Sequence, residues 1–283
     1  MKTYLECLPC LLRQAVEAAQ LATEDERLQH AVAEAVLDHL RGVSPEERPV
    51  DIAPAVHATV RRITGCEDPY RQVKDNSNRL ALRAYPKASE IVSGSADPLL
   101  TSAKLAAAGN IADSAVGRSF DFEAAIQQAA RNDFALSDYA QFKAELASAE
   151  HVLYLADNAG EIVLDRLLLE RITGKQRTVA VKAHPLLNDA TADDARTAGL
   201  DDCATAIVAG DAWPRPDLLG APEELRTAFH DADIIIAKGQ GNYEALSECD
   251  GKVFFLLTAK CPVVARDLGA AVGDLVLKKA GSG

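Results

Sequence analysis

The sequence lacks several features that would assign it to a specialised class of protein. No apolar run approaches the length needed to span a membrane, and Glu6, Pro9 and Arg13 interrupt any signal-like apolar segment near the start. Basic tracts are missing as well, and the formal net charge of -12 argues against a nucleic-acid-binding protein. Internal repeats and low-complexity segments are also absent. We therefore expect a cytoplasmic protein with no membrane or nucleic-acid partner, and its oligomeric state stays open.

Cysteine is too sparse for a disulfide scaffold, because six residues are dispersed over 283. Cys7 and Cys10 form a close pair at the predicted start of a helix, where backbone amides can lower a thiol pKa. Cys66 is the best candidate for a third partner. A zinc site would still need a fourth ligand, for which His57 is available. Free thiols, a disulfide and a structural zinc ion are therefore all open alternatives at Cys7, Cys10 and Cys66.

The first half of the chain has the periodicity of helices. Up to about residue 146, apolar residues recur at intervals of three and four, as at Leu11, Ala15 and Ala19. Pro45 suits the first turn of one of these helices. No convincing strand is predicted in this half.

The second half alternates between strand-like apolar runs and helical segments. Strands are predicted at 151–156, 177–182, 205–208, 233–237 and 252–257. Such alternation is typical of a doubly wound parallel sheet. We therefore expect an α/β fold with a helical domain or cap at 1–146, followed by a Rossmann-like domain at 147–283.

Polar residues follow the first predicted strand at its carboxyl end. Asp157 and Asn158 end the apolar run that starts at His151, and a helix is predicted from Glu161. Open parallel sheets bind ligands at this edge, and the oxygens of Asp and Asn suit a hard divalent cation. The alternative is that Asp157 or Asn158 only caps the helix.

Two later strands end in a similar way. Lys182 closes the second strand and Asp189 follows it, whereas Lys238 closes another strand and is followed by Gly239-Gln240-Gly241-Asn242. The two glycines free successive backbone amides to face an anion at a helix N-terminus. If these strands are parallel, their ends converge, and this mixture of groups fits a metal-bound phosphate. A dinucleotide fingerprint is incomplete here, since Glu244 replaces the third glycine.

With these motifs in this order, the chain resembles the metal-dependent damage-control phosphatases, a family long catalogued as a domain of unknown function. The resemblance spans about Cys7 to Cys261 and rests on six segments: Cys7–Cys10, Asp68–Tyr70, Gly109–Asp113, Asp157–Glu161, Asn188–Thr191 and Lys238–Glu244. The paired cysteines resemble those of a microbial subfamily.

The resemblance implies metal ligands at Asp157, Asn158 and Asp189, and a phosphate site lined by Lys238 and Asn110. Further candidates for substrate binding are Asp113, Lys182, Gly239, Gly241 and Asn242. Glu161 is a candidate catalytic residue, because the general base is not fixed by the sequence. The oxygen-rich ligand set selects poorly among magnesium, manganese, cobalt and nickel. An alternative role for Gly109 is to cap an Ala-rich helix in a left-handed conformation.

The predicted function is hydrolysis of small phosphate monoesters with a divalent metal. Sugar phosphates or damaged phosphorylated metabolites are the substrate class that the resemblance implies. One alternative is an aspartyl-phosphate phosphatase with Asp157 as nucleophile, although Ala159 occupies the position where a second acid is expected. Another alternative is a nucleotide- or S-adenosylmethionine-binding protein or methyltransferase, although the first strand lacks a glycine-rich methyl-donor loop.

Overall fold

The structure is a computed structural model that describes residues 1–109, 122–210, 218, 220–249 and 251–282. Seven described helices precede the main part of the sheet: α1 (Cys7–Ala22), α2 (Glu26–Leu40), α3 (Pro49–Thr64), α4 (Arg71–Ser93), α5 (Pro98–Ala108), α6 (Phe122–Arg131) and α7 (Tyr139–Ser148). Five described helices alternate with the later strands: α8 (Glu161–Leu169), α9 (Ala192–Thr197), α10 (Glu223–Asp231), α11 (Gly239–Leu246) and α12 (Pro262–Leu268). Among the described residues, no helix combines the length and hydrophobicity that a membrane crossing requires.

The described strands form one seven-stranded sheet. They are β1 (Leu136–Ser137), β2 (His151–Leu155), β3 (Gln176–Lys182), β4 (Ala206–Gly210), β5 (Ile234–Lys238), β6 (Val253–Thr258) and β7 (Leu275–Lys279). Their spatial order is β1-β7-β6-β5-β2-β3-β4, and every neighbouring pair is parallel except β6 and β7. The chain runs outward from β2 to β4 and then returns to the other side of β2 with β5. The carboxyl ends of β2 and β5 therefore form the switch point, where sheets of this type bind ligands.

Helices cover both faces of the sheet because the strand side chains alternate between them. Leu153 and Leu155 point into a core shared with α1–α3, α11 and α12. Val152 and Tyr154 point into a second core shared with α4–α8. Each fully buried leucine or valine stabilises the fold by about 1.5–3 kcal/mol. The helices of the first half are thus packed directly on the strands of the second half.

The predicted fold class is confirmed, with local corrections. The five predicted strands lie within two residues of β2–β6, whereas β1 and β7 were not predicted. β1 has only two residues, and β7, which lies between β1 and β6, runs antiparallel to β6 and ends in Lys278 and Lys279. The helix assigned to Pro45 begins instead at Pro49, which occupies the first helical turn. The boundary at 146/147 stays a prediction.

Candidate functional site

The loops that follow β2 and β3 are held together by backbone hydrogen bonds. The amide of Ala190 donates to the Asp157 carbonyl at 2.8 Å, and the amide of Ala159 donates to the Asn188 carbonyl at 2.9 Å. Asn158 and Asp189 form an isolated backbone bridge. The structure therefore brings together the three predicted metal ligands, Asp157, Asn158 and Asp189, and all three are buried.

Hydrogen bonds fix the orientation of the Asn158 amide. Its Nδ2 donates to Asp157 Oδ2 at 2.5 Å and to Glu161 Oε2 at 3.2 Å. Both contacts use the nitrogen of the amide, so its oxygen lies on the opposite side. Glu161 thus positions a neighbouring metal-ligand candidate through a direct contact.

Gly239 lets α11 begin unusually close to Asp157. Its φ of +72° is left-handed, and a Cβ placed on it would lie 1.9 Å from Asp157 Oδ2. Asn242 holds this loop in place, since its Nδ2 donates to the carbonyls of Lys238 at 2.7 Å and Ala156 at 3.2 Å. Gly239 and Asn242, both predicted to bind substrate, therefore shape the loop next to the carboxylates.

Lys238 lies beneath the site. Its side chain is 0% exposed, and Nζ donates to the Ala106 carbonyl at 2.9 Å, to Glu161 Oε1 at 2.6 Å and to Asp165. Burial alone lowers its pKa, but Asp165 and Glu161 more than offset this and hold the pKa above the usual value. These contacts use all three donors of the ammonium group. The geometry thus gives Lys238 a positioning role beneath the site, in contrast to the phosphate contact that the sequence suggests.

Six buried charged side chains lie at and beneath the candidate metal site, and we call them the buried charge cluster. Its members are Asp157, Glu161, Asp165, Lys182, Asp189 and Lys238. Four carboxylates and two ammonium groups leave an excess of two negative charges when all are ionised. Such an excess in a buried site favours binding of a divalent cation.

The carboxylates of this cluster bind protons more tightly than usual. Burial, followed by repulsion from Glu161 and Asp189, raises the pKa of Asp157 well above its ordinary value. Burial raises the pKa of Asp189 to about 6 and that of Asp165 to about 7. Burial also lowers the pKa of Lys182, whose Nζ lies 3.6 Å from Asp189 Oδ2.

The donor set fits a hard divalent cation. Within the described residues, Asp189 Oδ2 is buried and makes no hydrogen bond. Asp157, Asn158 and Asp189 supply carboxylate and amide oxygens, which such cations prefer. No group of three His, Cys, Asp or Glu side chains with metal-site geometry occurs in the described part of the chain. The candidate site is instead two carboxylates and one amide.

A cavity of about 510 Å³ opens above these ligands. The three ligand candidates lie at its floor, Gln240 and Gly241 come from the start of α11, and Gln14 comes from α1. Lys260 also lines the cavity, and its ammonium group favours the ionised form of Asp157. Lys182, Lys238 and Glu161 are not among the described lining residues.

Lys260 was not singled out from the sequence, although a signal was present. It follows the predicted strand at 252–257, just as Lys182 and Lys238 end two other strands. The same rule about the carboxyl ends of parallel strands would have placed it at the site. Lys260 is exposed and lines the cavity.

Comparison with known proteins shows which family the chain belongs to. The family model described as "Damage-control phosphatase ARMT1-like domain" matches residues 3–276 of this chain. The chain belongs to the damage-control phosphatase family. A damage-control phosphatase of Archaeoglobus fulgidus is 37% identical over 290 residues, covering 98% of this chain and 99% of the relative.

Further relatives agree with this family membership. Damage-control phosphatase PH1575 of Pyrococcus horikoshii is 33% identical, and the alignment covers 98% of this chain and 97% of the relative. The crystal structure of a DUF89 family protein from the same organism matches with a TM-score of 0.90 and 32% identity, covering 99% of both chains. The resemblance found in the sequence is confirmed, and membership of this family supports phosphatase activity.

The Gly109–Asp113 motif is only partly described by the structure. Asn110 and Asp113 fall outside the described residues. Gly109 caps α5 with a φ of −53°, so the left-handed conformation of that alternative role is wrong. Its lack of a side chain matters for packing instead, because a Cβ would lie 2.8 Å from Cγ of Glu161. The end of α5 therefore packs tightly on Glu161 of the Asp157–Glu161 segment.

Of the alternatives left open for Cys7, Cys10 and Cys66, the structure has free thiols and no disulfide at these positions. Cys7 and Cys10 line the cavity of this family member together with Cys261, whereas Cys66 does not. No described group of three metal-ligating side chains supports the zinc alternative. α1 packs on the sheet face next to α11 and α12, and this packing brings the paired cysteines to the site although they are far from it in the sequence.

Asn78 of α4 connects the helical half to the metal-ligand loop. Its Oδ1 accepts from the Gly160 amide at 2.6 Å, and its Nδ2 donates to Asp194 at 2.8 Å. Asp194 in turn accepts from the amide of Thr191, two residues after Asp189. Asn78 therefore braces both loops that carry the ligand candidates.

We expect Asn78→Ala to weaken metal binding as well as stability. An unsatisfied buried amide at Gly160 costs about 1–3 kcal/mol, and the loop loses its brace. The metal concentration for half-maximal activity, compared with the melting temperature, measures the two effects. Asn76→Ala on the same helix is the control, because the Asn76 side chain accepts a hydrogen bond from the exposed Arg79. An unchanged metal requirement in Asn78→Ala would show that the brace is only structural.

Proposed function

We propose that this protein is a divalent-metal-dependent phosphatase that hydrolyses small phosphate monoesters, such as sugar phosphates or damaged phosphorylated metabolites. The observation that carries the proposal is the burial of Asp157, Asn158 and Asp189 at the floor of one cavity, within a cluster of excess negative charge. Family membership supports the phosphatase activity. The alternative of S-adenosylmethionine or nucleotide binding and that of an aspartyl-phosphate enzyme gain no supporting observation.

Asp157, Asn158 and Asp189 would hold the cation in this mechanism. When bound, a divalent cation supplies Lewis-acid chemistry toward a phosphate oxygen and a water nucleophile at neutral pH. Magnesium, manganese, cobalt and nickel all suit an oxygen donor set of this kind.

Groups of the chain would bind the remaining phosphate oxygens. Lys260 faces the cavity and offsets negative charge that develops during phosphoryl transfer. The first amides of α11, at Gln240 and Gly241, add donors and the positive end of the helix dipole. Lys182, which pairs with Asp189, keeps the second ligand carboxylate oriented.

The expected result is activity that depends on added metal. Protein stripped with a chelator and checked by elemental analysis is assayed against a panel of phosphate monoesters, with and without each of the four cations. We expect negligible turnover without metal and restoration by at least one cation. Full turnover by protein shown to be free of metal would contradict the proposal.

A further inference from the structure

Glu244 lies on the cavity wall without a partner for its carboxylate. It is one turn beyond Gln240 on α11, so both side chains share one face of that helix. Within the described residues, the Glu244 carboxylate makes no hydrogen bond and no ion pair. The preceding residue, Tyr243, does have a side-chain partner, because its hydroxyl donates to Asp267 at 2.7 Å.

The surroundings of Glu244 make its charge costly. Burial raises its pKa to about 7. The titratable groups that face it are the thiols of Cys7 and Cys261 and the amino group of Met1, which donates to the Glu244 backbone carbonyl at 3.2 Å. The positive charge of the Met1 amino group lowers the pKa of Glu244, but it offsets only part of the effect of burial. A ligand that donates hydrogen bonds to the carboxylate accounts for its place on the cavity wall.

The position of Glu244 relative to Asp157, Asn158 and Asp189 determines which part of a bound substrate it can contact. At 1.5 Å per residue, four residues place Glu244 about 6 Å further along α11 than Gln240. The start of that helix faces the ligand carboxylates, since Gly239 lies against Asp157. Glu244 therefore lines the 510 Å³ cavity further along α11 than the residues next to the ligand carboxylates, and the cavity has room for more than a phosphate group.

We propose that Glu244 selects the alcohol part of the substrate by accepting hydrogen bonds from its hydroxyl or amino groups. The inference rests on the proposed phosphatase function. A carboxylate accepts hydrogen bonds and repels anions, so it favours polyhydroxylated or amino monophosphates over esters with a second phosphate or a carboxylate at that end. Gln14 and Gln240 line the same cavity and complement it with amide groups.

The test compares Glu244→Gln with the wild type on three substrates: a sugar monophosphate, the corresponding sugar bisphosphate, and p-nitrophenyl phosphate, whose leaving group has no hydrogen-bond donors. We expect kcat/KM for the sugar monophosphate to fall about 10- to 100-fold, as for loss of a hydrogen bond to a charged group. Turnover of p-nitrophenyl phosphate should be almost unchanged, and discrimination against the bisphosphate should weaken. Glu248→Gln, an exposed position one turn later, is the matched control with no expected effect.

Thermal stability gives a second readout that separates selection from a structural role. The raised pKa means that Glu244 supports folding below pH 4.5 and that this support is lost as the pH rises through about 7. Glu244→Gln should therefore melt at a higher temperature than the wild type at pH 8 and show little gain at pH 5. A melting temperature lowered at pH 8, or equal losses on sugar and p-nitrophenyl esters, overturns the inference alone. Wild-type protein inactive on every ester contradicts the proposed function, and with it this inference.

Discussion

Asp157→Asn should abolish phosphatase activity while making the metal-free protein more heat-resistant at pH 8. The substitution removes one negative charge from the buried charge cluster and keeps the shape of the side chain. The asparagine oxygen still accepts from Asn158, whereas the charged ligand for the cation is lost. We expect kcat to fall by about 10²-fold or more.

The pH dependence follows from the sign of the pKa shift. The Asp157 pKa is raised above its ordinary value of 3.8, so its contribution to stability is present below pH 3.8 and is lost as the pH rises through the raised pKa. The variant should gain in melting temperature at pH 8 and gain little at pH 4. Added metal should raise the melting temperature of the wild type and leave the variant unchanged.

Asp193→Asn provides the control, because Asp193 lies on the surface and pairs with Arg196. We expect wild-type activity and melting from it. Wild-type turnover by Asp157→Asn would rule out Asp157 as a metal ligand, and a lower melting temperature at pH 8 would contradict the proposed excess of negative charge.

Lys238 and Lys260 should respond to the same substitution in opposite ways. Lys238→Met leaves Glu161 and Asp165 buried without their cation. Removing one partner of a buried ion pair costs about 3–5 kcal/mol. We expect this loss in the free energy of unfolding, measured by denaturant titration. Lys260→Met should change stability by less than about 0.5 kcal/mol, because its side chain is exposed.

For catalysis, in contrast to stability, we expect a large loss in Lys260→Met. Lys260→Met removes a charge that faces the cavity, so kcat/KM should fall by about 10²-fold although the protein stays fully folded. Steady-state kinetics at a temperature where both variants are folded makes the comparison. Normal stability of Lys238→Met would show that its ion pairs contribute little, and full activity of Lys260→Met would remove that residue from the proposed mechanism.

The sequence predicts the ligand-bearing strand ends well because one local rule is sufficient there. Apolar runs of strand length followed by Asp157, Lys182 or Lys238 indicate parallel strands, and parallel strands bring their carboxyl ends together. The rule predicts which residues are neighbours. It does not predict their roles, because these depend on contacts with other elements.

Lys238 illustrates that limit. Its partners Ala106 and Asp165 belong to α5 and α8, and no spacing in the sequence indicates that they enclose its ammonium group. Cys10 is a second case, since its place on the cavity wall depends on how α1 packs against the sheet. Short edge strands such as β1 escape prediction for a third reason: two residues carry no periodicity.

The helices on the two faces of the sheet impose an order on biosynthesis. All seven helices α1–α7 precede β2 in the chain, although their apolar sides are covered by strands that are translated later. Emerging from the ribosome, they have no sheet to pack against, and folding waits for long-range pairing. Because the cavity joins α1 to Cys261, a nascent chain completes the candidate site only after the segment around Cys261 has been added.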